Sequence, residues 1–176
     1  MKKTFSILSI ITVLLCLNTS CSKSDSTPAA TSVVSYSKVG ISGLTILNYP
    51  ATKTDGTNWD SGLSGTFPDV YFKVKKSTTT SELFALAVDS RFENLRVTDL
   101  PKGWGTSTGA PFLVLSDLFQ NIDVDLYDYE SVGTDEYIGT STFVISDYIS
   151  GNNKYPSSIT AINGSVSIKL DLIWIK

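Results

Sequence analysis

Four carboxylates crowd into nine residues of this chain, Asp128-Tyr129-Glu130-Ser131-Val132-Gly133-Thr134-Asp135-Glu136, with no Lys or Arg among them. A second acidic stretch, Thr52-Lys53-Thr54-Asp55-Gly56-Thr57-Asn58-Trp59-Asp60, leads on to Pro68-Asp69-Val70-Tyr71. Like charges held close repel, and something must offset the repulsion. A hard cation such as calcium takes ~6–8 oxygens at ~2.3–2.6 Å, from carboxylates and backbone carbonyls in flexible geometry. Asp128 and Glu130 alternate at what reads as a strand end, so both can lean into one loop. The other reading of the same residues is a pair of solvated acidic turns that contribute solubility. An EF-hand is excluded, because no D-x-D-x-D-G run occurs.

Other chemistry falls away by composition. The 176 residues include no His and only two Cys. Without His there is no Ser-His-Asp or Cys-His arrangement, and zinc sites rarely form from carboxylates alone. No G-x-S-x-G or phosphate-binding loop is present, so an enzyme is not expected. The formal charge is −3, from 14 Lys+Arg against 17 Asp+Glu. Nucleic-acid binders carry a basic excess, so that class is not expected either.

The elements that must position the carboxylates read as strands. Val166, Ile168, Leu170, Leu172 and Trp174 alternate with Ser165, Ser167, Lys169 and Asp171. Val70, Phe72 and Val74 alternate with Tyr71, Lys73 and Lys75, and Ile122, Val124 and Leu126 with Asp123, Asp125 and Tyr127. Leu95 and Val97 flank Arg96 in the same way. Leu83 to Val88 and Phe112 to Leu115 are apolar on both faces and fit central strands. Breakers such as Asp55-Gly56, Gly103-Trp104-Gly105, Gly151-Asn152-Asn153 and Asn163-Gly164 separate the runs. About eight strands in such a length point to an all-β, eight-stranded antiparallel β-sandwich. Short helical turns fit near Ser116 to Phe119 or Ser146 to Ile149.

The front of the chain is different. Lys2 and Lys3 precede an apolar run from Phe5 to Leu17, shorter than the ~20 residues of a membrane-spanning helix. That pattern reads as a secretory signal over residues 1–20. Leu17-Asn18-Thr19-Ser20-Cys21 resembles the lipobox of bacterial lipoproteins, although Leu17 stands four before the Cys rather than three. The resemblance implies cleavage before Cys21 and acylation of its sulfur and amine, which would anchor the chain in a membrane. Cys16 then leaves with the signal, as do Lys2 and Lys3. The remainder holds 12 basic against 17 acidic residues, or −5. Ser22 after the Cys resembles sorting to the outer membrane of the cell envelope. Residues 21–35 are small, polar and Pro-bearing and read as a flexible tether. The folded domain is then residues 36–176.

Two segments together resemble the C2 domain, an eight-stranded sandwich family known for calcium-dependent membrane binding. That family carries Asp-Pro-Tyr ahead of an alternating strand, and here Asp69-Val70-Tyr71-Phe72-Lys73-Val74 stands in that place. Later it carries Asp-x-Asp after a strand, an acidic residue six further on, and an aliphatic-Gly pair. Here these are Asp128-Tyr129-Glu130, Glu136 and Ile138-Gly139. Ile41 to Pro50 resembles the family's opening strand and Gly164 to Trp174 its closing one. The resemblance implies calcium as cofactor and a ligand set of Asp69, Asp128, Glu130 and Glu136, with Asp135 adjacent as a substitute. Leu63 occupies the register of the family's first ligand, so Asp60 or Asp55 would have to fold back to supply it. Val70 replaces the family's Pro, and two of its aspartates are Glu here.

Other residues suggest contacts. Trp59 and Trp104 lie in loops, where a Trp either stacks on a ligand or covers the end of the sandwich. Tyr129 and Tyr127 add aromatic surface beside the acidic loop. Lys73, Lys75 and Lys76, with Arg96, fit either a basic stripe or a solvated sheet face. The expectation is a lipid-anchored, C2-like envelope module that binds calcium and then an anionic lipid headgroup, another anionic ligand or a protein partner. The alternatives are a glycan-binding module using Trp59, Tyr129 and Tyr127, or a structural envelope scaffold without metal.

Overall fold

The computed structural model describes residues 35–60 and 66–176. The expected signal, nearly all of the tether, Cys21 and Leu63 lie outside the described residues. Nine strands are present: β1 (Lys38–Asn48), β2 (Val70–Lys76), β3 (Glu82–Ala85), β4 (Lys102–Gly105), β5 (Leu113–Leu115), β6 (Asn121–Asp128), β7 (Glu136–Val144), β8 (Ser158–Asn163) and β9 (Val166–Ile175). Single 3-10 turns occupy Val88–Ser90, Val97–Asp99 and Ile145–Tyr148. Among the described residues no helix is long and apolar enough to cross a membrane.

The strands form two antiparallel sheets. One runs β4-β1-β9-β8, with β5 also on β1; the other runs β3-β2-β6-β7. The alternating segments behave as their pattern requires. In β9, Val166, Ile168, Leu170 and Leu172 are buried. In β2 and β6 the inward residues are Phe72, Val74, Ile122, Val124 and Leu126, none more than 1% exposed. The two inner faces meet in one core of aliphatic and aromatic side chains. Burying each large apolar side chain contributes roughly 1.5–3 kcal/mol.

Four segments depart from expectation, among them Phe112 to Leu115, which supplies not a central strand but β5, paired only with β1. The described residues hold nine strands where the pattern predicts about eight, and Gly103-Trp104-Gly105 is itself part of β4 rather than a breaker. Its backbone lies so close to β1 that a Cβ on Gly103 would meet the Leu44 carbonyl oxygen at 2.8 Å. Glycine is therefore a fitting requirement there, not a turn signal. Leu83 to Val88 supplies not a central strand but β3, which hydrogen-bonds only to β2, at a sheet edge. Leu95-Arg96-Val97 leads into a 3-10 turn; Leu95 is buried in the core, Val97 packs partly buried against it, and Arg96 is exposed.

Trp104 covers the sandwich rather than standing free. Its ring packs on Phe92 and Phe72, with centroids 4.2 and 5.0 Å away, and its Nε1–H donates to the Ser90 carbonyl at 2.7 Å. Phe72 is the centre of this group, touching Phe84 and Phe112 as well. Replacing Phe72 by Ala should lower the unfolding free energy by ~3–5 kcal/mol, the range for a large aromatic removed from a packed core. Phe119, 75% exposed, provides the control. Its Ala variant should stay within ~0.5 kcal/mol of the parent in the same urea titration.

Candidate metal centre

The two acidic loops meet at one end of the sandwich. The pairing of β2 with β6 sets Val70 opposite Asp128, so the entry to β2 and the exit from β6 are adjacent. Tyr129 N–H donates to the Asp69 carbonyl at 2.9 Å, and Asp69 N–H donates to Asp128 Oδ1 at 2.7 Å. The β6–β7 register slips by one residue at Ile138, a bulge beside the loop that carries Glu130 to Asp135. Gly133, at φ +110°, turns that loop where a side chain would be strained.

Asp60, Asp128 and Glu130 each bring a carboxylate oxygen within 4.8 Å of the others. Two oxygens bound to one calcium at ~2.6 Å can be no more than ~5.2 Å apart, so the three can share an ion. Asp128 is fully buried, and its Oδ2 has no hydrogen-bond partner among the described residues. A buried, unpartnered carboxylate oxygen is costly unless a charge reaches it. At ~4 Å, two like charges repel by about 4 kcal/mol at the effective dielectric of a protein surface. Three such groups do not stay ionised together without a counter-charge. The donor set is oxygen only, which suits a hard cation.

The other expected ligands are held differently. Asp69 Oδ1 accepts from Asn94 N–H at 2.7 Å, and its Oδ2 lies 3.3 Å from Arg91 Nε. Asp135 accepts from Tyr71 OH at 2.6 Å and from Glu130 N–H at 3.0 Å, so it braces the loop. Glu136 Oε2 lies 2.5 Å from Lys53 Nζ. Asp55 is exposed and closes its own turn through Thr57, which pulls its carboxyl below the usual range. Of the two residues offered to replace the ligand missing at position 63, Asp60 therefore reaches the cluster and Asp55 does not.

Sequence reasoning missed two cations. Lys53 stands inside the quoted acidic stretch, and its place there was the available signal. Arg91 comes from a distant segment that gives none. It also lies over the Tyr129 ring, 4.6 Å from the centroid, so that aromatic is already covered on one face. Trp59 differs from an exposed ligand contact: it is 5% exposed, with Nε1–H donating to the Pro50 carbonyl at 2.9 Å. It lines a groove of about 710 Å³ together with Lys53, Glu136, Ile138, Asn163 and Val166. On the outer face of β2 and β6, Lys75 pairs with Asp125 at 2.7 Å and donates to Tyr127 OH at 2.8 Å. Lys73 lies 3.6 Å from Glu82. These pairs neutralise much of the expected basic stripe.

The charges act on one another. Burial, with Asp60, Glu130 and Asp69 nearby, pushes the Asp128 carboxyl up to about 7, against the opposing hydrogen bond from Asp69. Asp60 is raised by burial and then by Asp69. Glu130 is raised by burial, then Asp60 and Glu136. The hydrogen bond to Glu136 raises Lys53 above an ordinary lysine. An unfolded aspartate releases its proton near ~3.9. Between that value and about 7 the folded state therefore holds a proton that the unfolded state has lost. Stability contributed by this proton is present at low pH and is lost as pH rises through about 7. In chelator, Asp128→Asn should be as stable as the parent near about pH 4 and more stable near about pH 8. Urea unfolding at both values checks this, and a difference independent of pH would refute the assignment.

No family model matches the chain, and no curated protein matches it. Among solved structures it is similar to human GIVD cytosolic phospholipase A2 in complex with methyl gamma-linolenyl fluorophosphonate. That match has 16% identity and a TM-score of 0.39, over 79% of this chain and 16% of that one. It is also similar to a C2 domain of plant Extended Synaptotagmin 1, at 13% identity and a TM-score of 0.39, over 81% of this chain and 97% of that one. A RIM C2 domain from Drosophila matches at 10% identity and a TM-score of 0.31, over 79% of this chain and 95% of that one. The chain thus spans about a sixth of the phospholipase chain's length. Superpositions this loose locate neither a site nor a ligand.

Proposed function

We propose that the folded domain is a C2-like binding module whose acidic end holds calcium and, once loaded, engages an anionic lipid headgroup. The single observation that carries this reading is the fully buried Asp128, with an unpartnered oxygen, beside Asp60 and Glu130 within 4.8 Å. Asp60, Asp128 and Glu130 would hold the ion. Backbone carbonyls and water would complete its oxygen shell. Calcium would supply positive charge at a surface that otherwise repels phosphate. Asp69, Asp135 and Glu136 would shape the loops around it. Val132, 87% exposed beside Gly133 in the same loop, would enter the interface once the charge is neutralised. Acylation of Cys21, in an outer-membrane envelope protein, would keep the module near such a surface. No catalytic role is assigned.

Calcium titration by calorimetry is the direct test. The parent should release or absorb heat at micromolar to millimolar calcium, and Asp60→Asn and Glu130→Gln should each weaken binding roughly tenfold or more. Silence in the parent up to millimolar calcium would end the metal reading. Vesicle sedimentation separates the second step. Phosphatidylserine vesicles should take up the protein only with calcium, and Val132→Asp should reduce uptake while leaving the calcium heat intact.

The groove of about 710 Å³ favours one second reading, a saccharide site. Its wall carries Trp59 and Ile138, and hydroxyl and amide groups from Thr52, Thr54 and Asn163 line it. Glycan-array binding that persists in chelator and is lost in Asn163→Ala would favour that reading over the lipid one.

A further inference from the structure

Lys53 is the one cation that touches the acidic loops from within the stretch between β1 and β2 among the described residues. Its ammonium lies 2.5 Å from Glu136 Oε2, and both side chains are only partly exposed, at 24% and 38%. Asp128 and Glu130 also act on that ammonium by charge. The same two carboxylates belong to the group that shares a 4.8 Å neighbourhood, and one of them has an unpartnered, buried oxygen. Arg91, the other nearby cation, is already committed to Asp69 and Glu93.

We propose that Lys53 is the built-in counter-cation of the acidic end, a tethered charge that lowers the affinity of that end for a divalent ion. This inference rests on the calcium reading above and adds a residue that sets the strength of the site. The ammonium carries one charge and cannot be shared by three carboxylates in the way a divalent ion is. It lowers the mutual repulsion of the loops when no metal is bound, and it opposes the metal's entry by like-charge repulsion. A divalent ion arriving between Asp60, Asp128 and Glu130 therefore meets a partly neutralised site. Glu136 stays with Lys53 or turns to the ion, and in either case the net charge seen by calcium is less negative than the carboxylates alone would make it.

Lys53→Met keeps much of the aliphatic stem and removes the charge. In the full-length protein it should bind calcium roughly tenfold tighter than the parent, by calorimetry. In chelator it should also melt at a lower temperature, and calcium should raise its melting temperature by more than it raises the parent's. Lys53→Arg, which keeps the charge, should leave calcium affinity within about threefold of the parent. Equal affinity in parent and Lys53→Met, or weaker binding in Lys53→Met, overturns the proposal. If neither protein binds calcium, the metal reading falls. A lower melting temperature for Lys53→Met in chelator would then leave Lys53 as the permanent counter-ion, whereas an unchanged one would remove that role too.

Discussion

A buried carboxylate at the end of β6 constrains everything around it. Asp128 is fully buried, yet it belongs to a residue type that leaves water only when paired. One oxygen is used to hold the backbone of Asp69, which locks the entry of β2 against the exit of β6. Asp69 is in turn gripped by Asn94 and Arg91, which ties in the segment after β3. Asp135 bridges Glu130 N–H and Tyr71 OH, which closes the loop between β6 and β7. These contacts form one connected set of polar anchors. Its unfilled position is the second oxygen of Asp128, and that position faces a shortage of positive charge.

The same end is therefore less stable than it would be with apolar packing. Raised proton affinities at Asp60, Asp128 and Glu130 express that directly, because each would rather be neutral in this setting. Perturbed groups of this kind concentrate where a protein binds something charged. Elsewhere the carboxylates behave as structural partners. Asp125 neutralises Lys75, and Asp123 accepts from Ser77 and Thr142. The contrast lies in supply: Asp125 meets a cation on the neighbouring strand, whereas Asp128 meets two carboxylates.

Much of this was legible in the order of residues, and the illegible part has a physical pattern. Strict alternation in β2, β6 and β9 identified strands with one buried face, because side-chain period and burial coincide there. The acidic loops were legible as clusters, since charge density survives without coordinates. Leu83 to Val88 misled because apolar residues on both faces do not distinguish a central strand from an edge one that is covered by aromatics. Phe84 packs on Phe72 and Phe112, and that contact is invisible locally. Asp69 matched the family spacing, but whether its oxygens are free depends on Arg91 and Asn94. Trp59 folds inward onto the Pro50 carbonyl, a contact made within its own connecting stretch that residue types alone do not reveal. Pairings between distant segments, such as Arg91 with Asp69, were the main blind spot.

One property of the core reaches beyond its packing. The buried side chains are Val, Ile, Leu, Phe, Tyr and Trp, and the chain's one Met and two Cys all fall before residue 35. Residues 35–176 contain no sulfur atom. No disulfide can staple the sandwich, so its stability rests on non-covalent contacts: burial, sheet hydrogen bonds and the polar anchors at the end of β6. Equally, no thiol can be oxidised and no thioether can become a sulfoxide. The fold is indifferent to the redox poise of its compartment, and soft metals such as copper(I) find no ligand they prefer.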